Sequence, residues 1–202
     1  MRYANLYRHF PAFRRQRMRR FAEITGLTAD HSIIDVGGDP QIWQFLPFKP
    51  KVTFANIHPL RSVPRERQII CDGCAIPVPD KSFDIAFSNS VIEHVGSRPR
   101  QQDFARELQR VGCRIWLQTP DRASPIEVHT MLPFLQWLPD ALFIKLARKL
   151  SVRRFIDDPV IFEQQMRHLL PLGAADIRAL FPQAQIIRER FACLPKSLIA
   201  HT

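Results

Sequence analysis

Two short stretches hold acid and imidazole side chains close together. "SNSVIEHV" carries Glu93 and His94, and "PIEVHTMLPF" carries Glu127 and His129. Histidine exchanges a proton near neutral pH, so His94 and the Glu127–His129 pair are candidates for general-base work on an oxygen nucleophile. A structural reading stands beside that one: Glu93 holding a loop or helix terminus, and His129 satisfied by a hydrogen bond. A third stretch, "IIDVGGDP", runs two β-branched residues into Asp35, Gly37 and Gly38. Without a β-carbon, glycine lets the backbone approach a ligand closely. A cofactor cradle usually has a third glycine, and here Asp39 and Pro40 stand in its place.

For such residues to meet, strands must deliver them to one end of a sheet. Strands are predicted at "SIIDV" (32–36), "KVTFANI" (51–57), "RQII" (67–70), "FDIAFS" (83–88), "CRIWLQT" (113–119), "AQIIRERF" (184–191) and "KSLIAHT" (196–202). Helical periodicity is clearest over 100–111 and 173–181. The alternation predicts an α/β domain with a mostly parallel sheet, closed by an antiparallel hairpin because no helix parts the last two strands. Ligands of doubly wound sheets bind beyond the carboxyl ends of the strands, where the strand order reverses. Besides Asp35, the predicted strand ends offer Asn56, the Asp72–Gly73 pair, and Ser88 with Asn89.

The 202 residues suit a single domain, with 46% hydrophobic and 24% charged residues. Its net charge of +10 favours an anionic partner without identifying one. Much of that charge lies in a basic N-terminal helical segment, residues 1–30. There Phe10, Phe13, Phe21 and Ile24 form a helical stripe, with Arg14, Arg15, Arg19 and Arg20 mostly off it. Packing on the domain is the plain reading of that helix; contact with an anionic membrane surface is the other. Arginines recur where a secretion signal would be apolar, and no run approaches the roughly 20 apolar residues of a membrane span. Four scattered cysteines suit a reducing cytoplasm, and Cys71 and Cys74 lack a second pair to complete a zinc site. Residues 121–172 break the rhythm of the sheet, with "HTMLPFLQWLPDALFIKLARKL" rich in Leu, Phe and Trp. Read as an insertion, this segment covers a substrate pocket, touches a membrane interface or packs as extra core.

In their order and spacing, "IIDVGG", "VTFANI", "CDGCAIPVPDKSFDIAFSNSVIEHV" and "WLQTPDR" resemble the class I S-adenosylmethionine-dependent methyltransferases. The nearest group is the small-molecule one that contains the ubiquinone-biosynthesis enzymes. The resemblance covers residues 30–120 and extends through "LFPQAQIIRERF" and "KSLIAHT" to the sixth and seventh strands of a Rossmann-like fold. It implies S-adenosylmethionine as cofactor, with its methionine part near Asp35, Gly37 and Gly38. By the same pattern Asn56 meets the ribose, Asp72 and Gly73 the adenine, and Ser88 and Asn89 lie beneath the sulfonium. Two positions depart from the family: the glycine loop reads Gly37-Gly38-Asp39-Pro40-Gln41, and the acidic ribose ligand is Asn56. A neutral ligand weakens that contact by on the order of 1 kcal/mol.

Methyl transfer needs alignment of a nucleophile with an already activated donor. A hydroxyl also needs a base or a metal, and the implied catalytic residues are His129, Glu127 and His94. Some relatives hold a divalent metal with Glu-x-x-Glu-His; the first Glu is Ser90 here, so no metal is expected. The expected activity is therefore methylation of a small-molecule acceptor, lipid- or glycan-linked, by a cytoplasmic enzyme with an allowed peripheral position at the inner face of a membrane. The rival is a non-catalytic module of the same fold that binds a partner. Nucleic acid is disfavoured, because residues 88–91 read Ser-Asn-Ser-Val in place of Asn/Asp-Pro-Pro-Tyr/Phe. The sequence does not indicate an oligomeric state.

Overall fold

A computed structural model describes residues 11–151, 166 and 169–202 of the chain. Phe10 of the expected stripe and residues 152–165, 167 and 168 of the expected insertion lie outside the described residues. Among the described residues helix α1 (Pro11–Thr25) comes first, followed by β1 (Ser32–Val36), β2 (Lys51–Asn56), β3 (Gln68–Ile70) and β4 (Phe83–Asn89). Helix α2 (Arg98–Val111) leads to β5 (Gly112–Pro120). A small hairpin of β6 (Ile126–Glu127) and β7 (Leu132–Pro133) precedes helix α3 (Asp140–Leu150). Helix α4 (Ala174–Leu180) and the strands β8 (Gln185–Phe191) and β9 (Leu194–His201) complete the fold.

Seven strands form one sheet in the order β3-β2-β1-β4-β5-β9-β8. The pairs among β1 to β5 are parallel, and β9 runs antiparallel to both β5 and β8. This is the Rossmann-like sheet the sequence predicts. Its strands lie within two residues of their expected ends.

Alternation along each strand feeds a core on either side of the sheet. Ile34 and Val36 of β1 face Phe104, Leu108 and Val111 of α2, with Ile177 of α4 nearby. Ile33 faces the opposite layer, where Met18 and Phe21 of α1 meet Ile42 and Trp43. Phe21 packs edge-on against Phe87 and Trp116, with ring centroids 5.1 and 5.2 Å away. The insertion has a separate small core of Leu135, Phe143, Ala147 and Met166. Among the described residues no helix is long and apolar enough to cross a membrane.

Two local expectations are corrected. Ile24 is 41% exposed and leaves the apolar stripe; the buried face of α1 is Arg17, Met18, Phe21 and Thr25. Those positions follow the helical repeat from Phe21, and the Thr25 hydroxyl donates back to the Phe21 carbonyl at 2.7 Å. Glu93 and His94, expected from the sequence to open the helix after the fourth strand, sit instead on one 3-10 turn, Ile92–His94. Helix α2 starts later because Ser97 caps it, its hydroxyl accepting from the Arg100 amide, with Pro99 in the first turn.

Candidate active site

The strand order reverses between β1 and β4: β2 and β3 lie beyond β1, and β5 lies beyond β4. Adjacent crossovers leave in opposite directions there, so a crevice opens above the carboxyl ends. A cavity of about 820 Å³ occupies it, within the usual range for a small-molecule site. Asp35, Gly37, Gly38 and Asn89 line it, and so do His94 and His129.

At the β1 end, the turn keeps the backbone bare. Gly37 holds φ at +76°, and a β-carbon on it would lie 2.6 Å from a Val91 methyl. A β-carbon on Gly38 would fall 1.9 Å from Oδ2 of Asp35. Where the third glycine is missing, Asp39 caps a short 3-10 helix, Pro40–Phe45, by accepting from the Gln41 amide. The loop thus turns sharply into a helical segment, which brings Trp43 over the strand end. Its Nε1 donates to Oδ2 of Asp35 at 2.8 Å.

Asp35 is fully buried, and its Oδ1 has no hydrogen-bond partner. Burial pushes its pKa up to about 7, against the opposing effect of the Trp43 hydrogen bond. A carboxylate oxygen in this state suits a positively charged ligand group. S-adenosylmethionine carries a sulfonium and an ammonium, so the orphaned oxygen and the bare glycine turn both fit it.

The imidazoles and their carboxylates come from two elements. The turn after β4 supplies Glu93 and His94, and the β6–β7 hairpin supplies Glu127 and His129. Nε2 of His94 lies 3.0 Å from Nε2 of His129, with the rings nearly perpendicular. His129 Nδ1 donates to Glu127 Oε1 at 2.6 Å. Glu127 also accepts from the backbone amides of His129 and Thr130, at 3.0 and 2.6 Å. Burial pushes both Glu127 and His129 towards their neutral forms, but their mutual contact wins. Glu127 is held below the usual carboxylate range and His129 above the usual imidazole value. Burial, with His129 beside it, drives His94 down to about 3, so His94 stays neutral.

This fixes the hydrogens. With Nδ1–H given to Glu127, neutral His129 carries its lone pair on Nε2, where His94 Nε2–H donates. When His94 passes its Nε2 proton to His129 and takes another at Nδ1, the bond runs the other way and the charge rests against Glu127. Glu93 is buried with its pKa raised by desolvation; its Oε2 accepts from the Thr119 hydroxyl at 2.9 Å, and its Oε1 has no partner. A cavity of about 10 Å³ beside Glu93, Glu127 and His129 has room for one water.

Glu93, His94 and His129 each offer a ligand atom, all within 4.8 Å of one another. Ser90, where the metal-binding pattern has its first Glu, instead donates its hydroxyl to Gln118 at 2.9 Å.

Other residues singled out from the sequence are engaged elsewhere. Asn56 donates to the Gly38 carbonyl at 3.2 Å, bracing the glycine turn. Asp72 pairs with Arg100 at 2.6 Å and accepts from the Cys74 amide. Gly73 allows close packing, since a β-carbon there would lie 2.7 Å from the Phe104 ring. The Ser88 hydroxyl donates to the Val36 carbonyl at 3.0 Å, joining the ends of β1 and β4. Asn56, Asp72, Gly73 and Ser88 do not line the cavity.

Sequence reasoning missed Arg17. Its guanidinium donates to Glu189 on β8, Asn89 on β4 and Gln118 on β5, at 2.5, 2.9 and 3.0 Å. One arginine thus spans the sheet top beneath the cavity. The only signal was an arginine on the apolar face of α1. Arg17→Met removes one partner of a buried ion pair, so it should cost about 3 kcal/mol. That corresponds to a melting point ~6–12 °C lower for a chain of this size. A melting curve unchanged from wild type would show that the network adds nothing to stability.

Residues 52–113 match the model of a family described as "Methyltransferase domain". No curated protein matches the sequence. Among solved structures, a SAM-dependent methyltransferase from Archaeoglobus fulgidus is 11% identical with a TM-score of 0.55, the match covering 93% of this chain and 92% of that one. A protein described as a methyltransferase from an antibiotic biosynthesis pathway of Anabaena variabilis is 18% identical with a TM-score of 0.53, covering 86% of this chain and 64% of that one. A third, from Rhodobacter sphaeroides and described as a zinc-dependent alcohol dehydrogenase, is 10% identical with a TM-score of 0.56, covering 90% and 87%. At these identities the likeness is one of fold, and fold alone does not name a reaction. The matched segment runs from β2 to the start of β5 and includes the Glu93–His94 turn. Residues 52–113 thus match a methyltransferase-domain model, and the fold is one that SAM-dependent methyltransferases of known structure share.

Proposed function

We propose that the protein methylates a hydroxyl group on an amphiphilic small molecule. The observation that carries this reading is the hydrogen-bonded row Glu127–His129–His94, whose imidazoles line the same cavity as Asp35, Gly37 and Gly38. When bound, S-adenosylmethionine supplies an activated methyl group. Asp35 would hold its positive charge, and the bare turn at Gly37 and Gly38 would let it lie against the backbone. The proton of the acceptor hydroxyl would reach His129 through His94, which would take it at Nδ1 as its own Nε2–H passes to His129 Nε2, and Glu127 would hold the resulting imidazolium. A carboxylate acceptor would not need that base, so the imidazole row favours a hydroxyl.

The amphiphilic part rests on the cavity rim. Ile126, Met131, Phe191 and Leu194 line the cavity, yet are 42–54% exposed. Phe134 and Trp137, each 54% exposed, lie with ring centroids 5.3 Å apart on the insertion that carries Ile126 and Met131. Large apolar side chains left open around a pocket favour an acceptor with a hydrocarbon body. The insertion would then form the substrate wall of a single domain, and contact with an anionic membrane would bring a lipid-linked acceptor to it.

The test is incubation with methyl-tritiated S-adenosylmethionine and a cell extract, followed by counting of the organic and aqueous phases. Label in the organic phase, discharged by neither acid nor mild base, is expected for an ether on an amphiphile. Calorimetry with S-adenosylmethionine runs alongside. No binding by folded, cofactor-free protein would favour the partner-binding module instead.

A further inference from the structure

The cavity is electrically uneven. Near β1 it presents Asp35 and Asp39, whereas α1 and β9 present Arg14, Arg17 and Lys196. Ser197 pairs with Pro120, so Lys196 stands just beyond the carboxyl end of β5, two strands away from β1. Its Nζ lies 3.5 Å from the centroid of the Phe13 ring, and its side chain is half-buried. Among the described residues it has no ion pair. The carboxylate whose charge bears on it, Glu189, is already held by Arg17 and by the Ser197 hydroxyl. Burial, reinforced by Arg17, pulls the pKa of Lys196 down to about 8. A second cation beside a half-buried ammonium is a cost that a bound anion would offset.

Resting on the methyl-transfer reading, we propose that Lys196 receives an acidic group of the acceptor, a carboxylate or phosphate, and so selects an amphiphile with an anionic head. The aromatic face of Phe13 fixes the ammonium without consuming its charge, which leaves its N–H donors for the anion. Phe191 and Leu194, on the same hairpin, flank that point with apolar surface. The acceptor therefore presents an acid near its hydroxyl and a hydrocarbon portion towards the rim.

An oxyanion at Lys196 has two sources, the acceptor or the carboxylate of the cofactor itself. Calorimetry with octyl phosphate, octanol and S-adenosylhomocysteine separates them in wild type, Lys196→Met and Lys196→Arg. Wild type saturated with S-adenosylhomocysteine is expected to bind octyl phosphate at least tenfold more tightly than octanol. Lys196→Met should erase that preference while keeping its affinity for S-adenosylhomocysteine, and Lys196→Arg should retain it. In wild type the preference should fade between pH 7 and 9 as the ammonium loses its proton, a change absent from Lys196→Met. Equal octyl phosphate affinity in wild type and Lys196→Met would overturn the proposal. So would a Lys196→Met protein that loses S-adenosylhomocysteine instead, because the anion would then be the cofactor's. Failure of wild type to bind S-adenosylhomocysteine at all would overturn the methyl-transfer reading rather than the role of Lys196.

Discussion

His129→Ala lowers methyl transfer by about 10²–10⁴-fold, the usual loss for a missing general base, and leaves the affinity for S-adenosylmethionine at its wild-type value. The proposed role of His129 as the base predicts this split. His129 lines the cavity away from the glycine turn, and its Nδ1 bond to Glu127 at 2.6 Å serves to prepare Nε2. The effect belongs in kcat, read from label transferred at saturating cofactor. The pH profile gives a second readout. Glu127 holds the pKa of His129 above the ordinary 6.5, so turnover should fall as pH drops through a value above 6.5, where the base becomes protonated. Glu127→Gln keeps the shape but removes the charge, and should move that acidic limb to lower pH while reducing kcat. His129 is buried, so a melting curve for each variant separates lost chemistry from lost structure. A folded His129→Ala protein with wild-type turnover would remove the base from the mechanism.

Asp35→Asn acts at the other end of the cavity, and there binding and stability should move in opposite directions. The side chain is fully buried with one orphaned oxygen, and its pKa is raised from 3.8 to about 7. An acid whose folded pKa is raised binds its proton more tightly when folded. Stability of the cofactor-free protein therefore declines as pH rises from about 4 through about 7, by a few kcal/mol at most at about 1.4 kcal/mol per unit. Asparagine keeps an acceptor for Trp43 and fits beside Gly38, but it never ionises. The variant should thus melt higher than wild type at pH 8 and match it more closely at pH 5. Its affinity for S-adenosylmethionine should fall by about 10–100-fold, the loss of a charged hydrogen bond. In wild type that affinity should strengthen as pH rises through 7, when the carboxylate forms; in Asp35→Asn it should stay flat. Unchanged cofactor affinity in the variant would mean that Asp35 is only a structural acid.

The sheet was legible because buried strands announce themselves in a single dimension. "SIIDV" and "FDIAFS" are short apolar runs bounded by polar turns, and each became the strand it resembles. The glycine turn and the imidazoles were readable as types at strand ends. The contact between His94 and His129 was not, because it depends on a hairpin whose strands are two residues each, too short to leave a periodic trace. The delayed start of α2 was available in Ser97 and Pro99, but the apolar run before them masked it. Asp39 and Pro40 are likewise a helix-start signal, which explains the missing glycine without loss of the turn. Arg17 and Lys196 lay beyond reach for a different reason. Their meaning comes from neighbours on strands far along the chain, and a basic composition hides which cations are buried.

Arg17 and Glu189 are separated by 172 positions. Helix α1 therefore lacks the carboxylate that pairs with its buried guanidinium until β8 has left the ribosome. Contacts of such long range are slow to close and come late in folding. The side of the cavity built from α1, β8 and β9 is thus expected to assemble late. A nascent chain able to form the β1 turn still lacks the wall that would hold an acceptor. Removing the β8–β9 hairpin would leave the buried Arg17 guanidinium without its carboxylate, a cost set against the folding of any shortened chain.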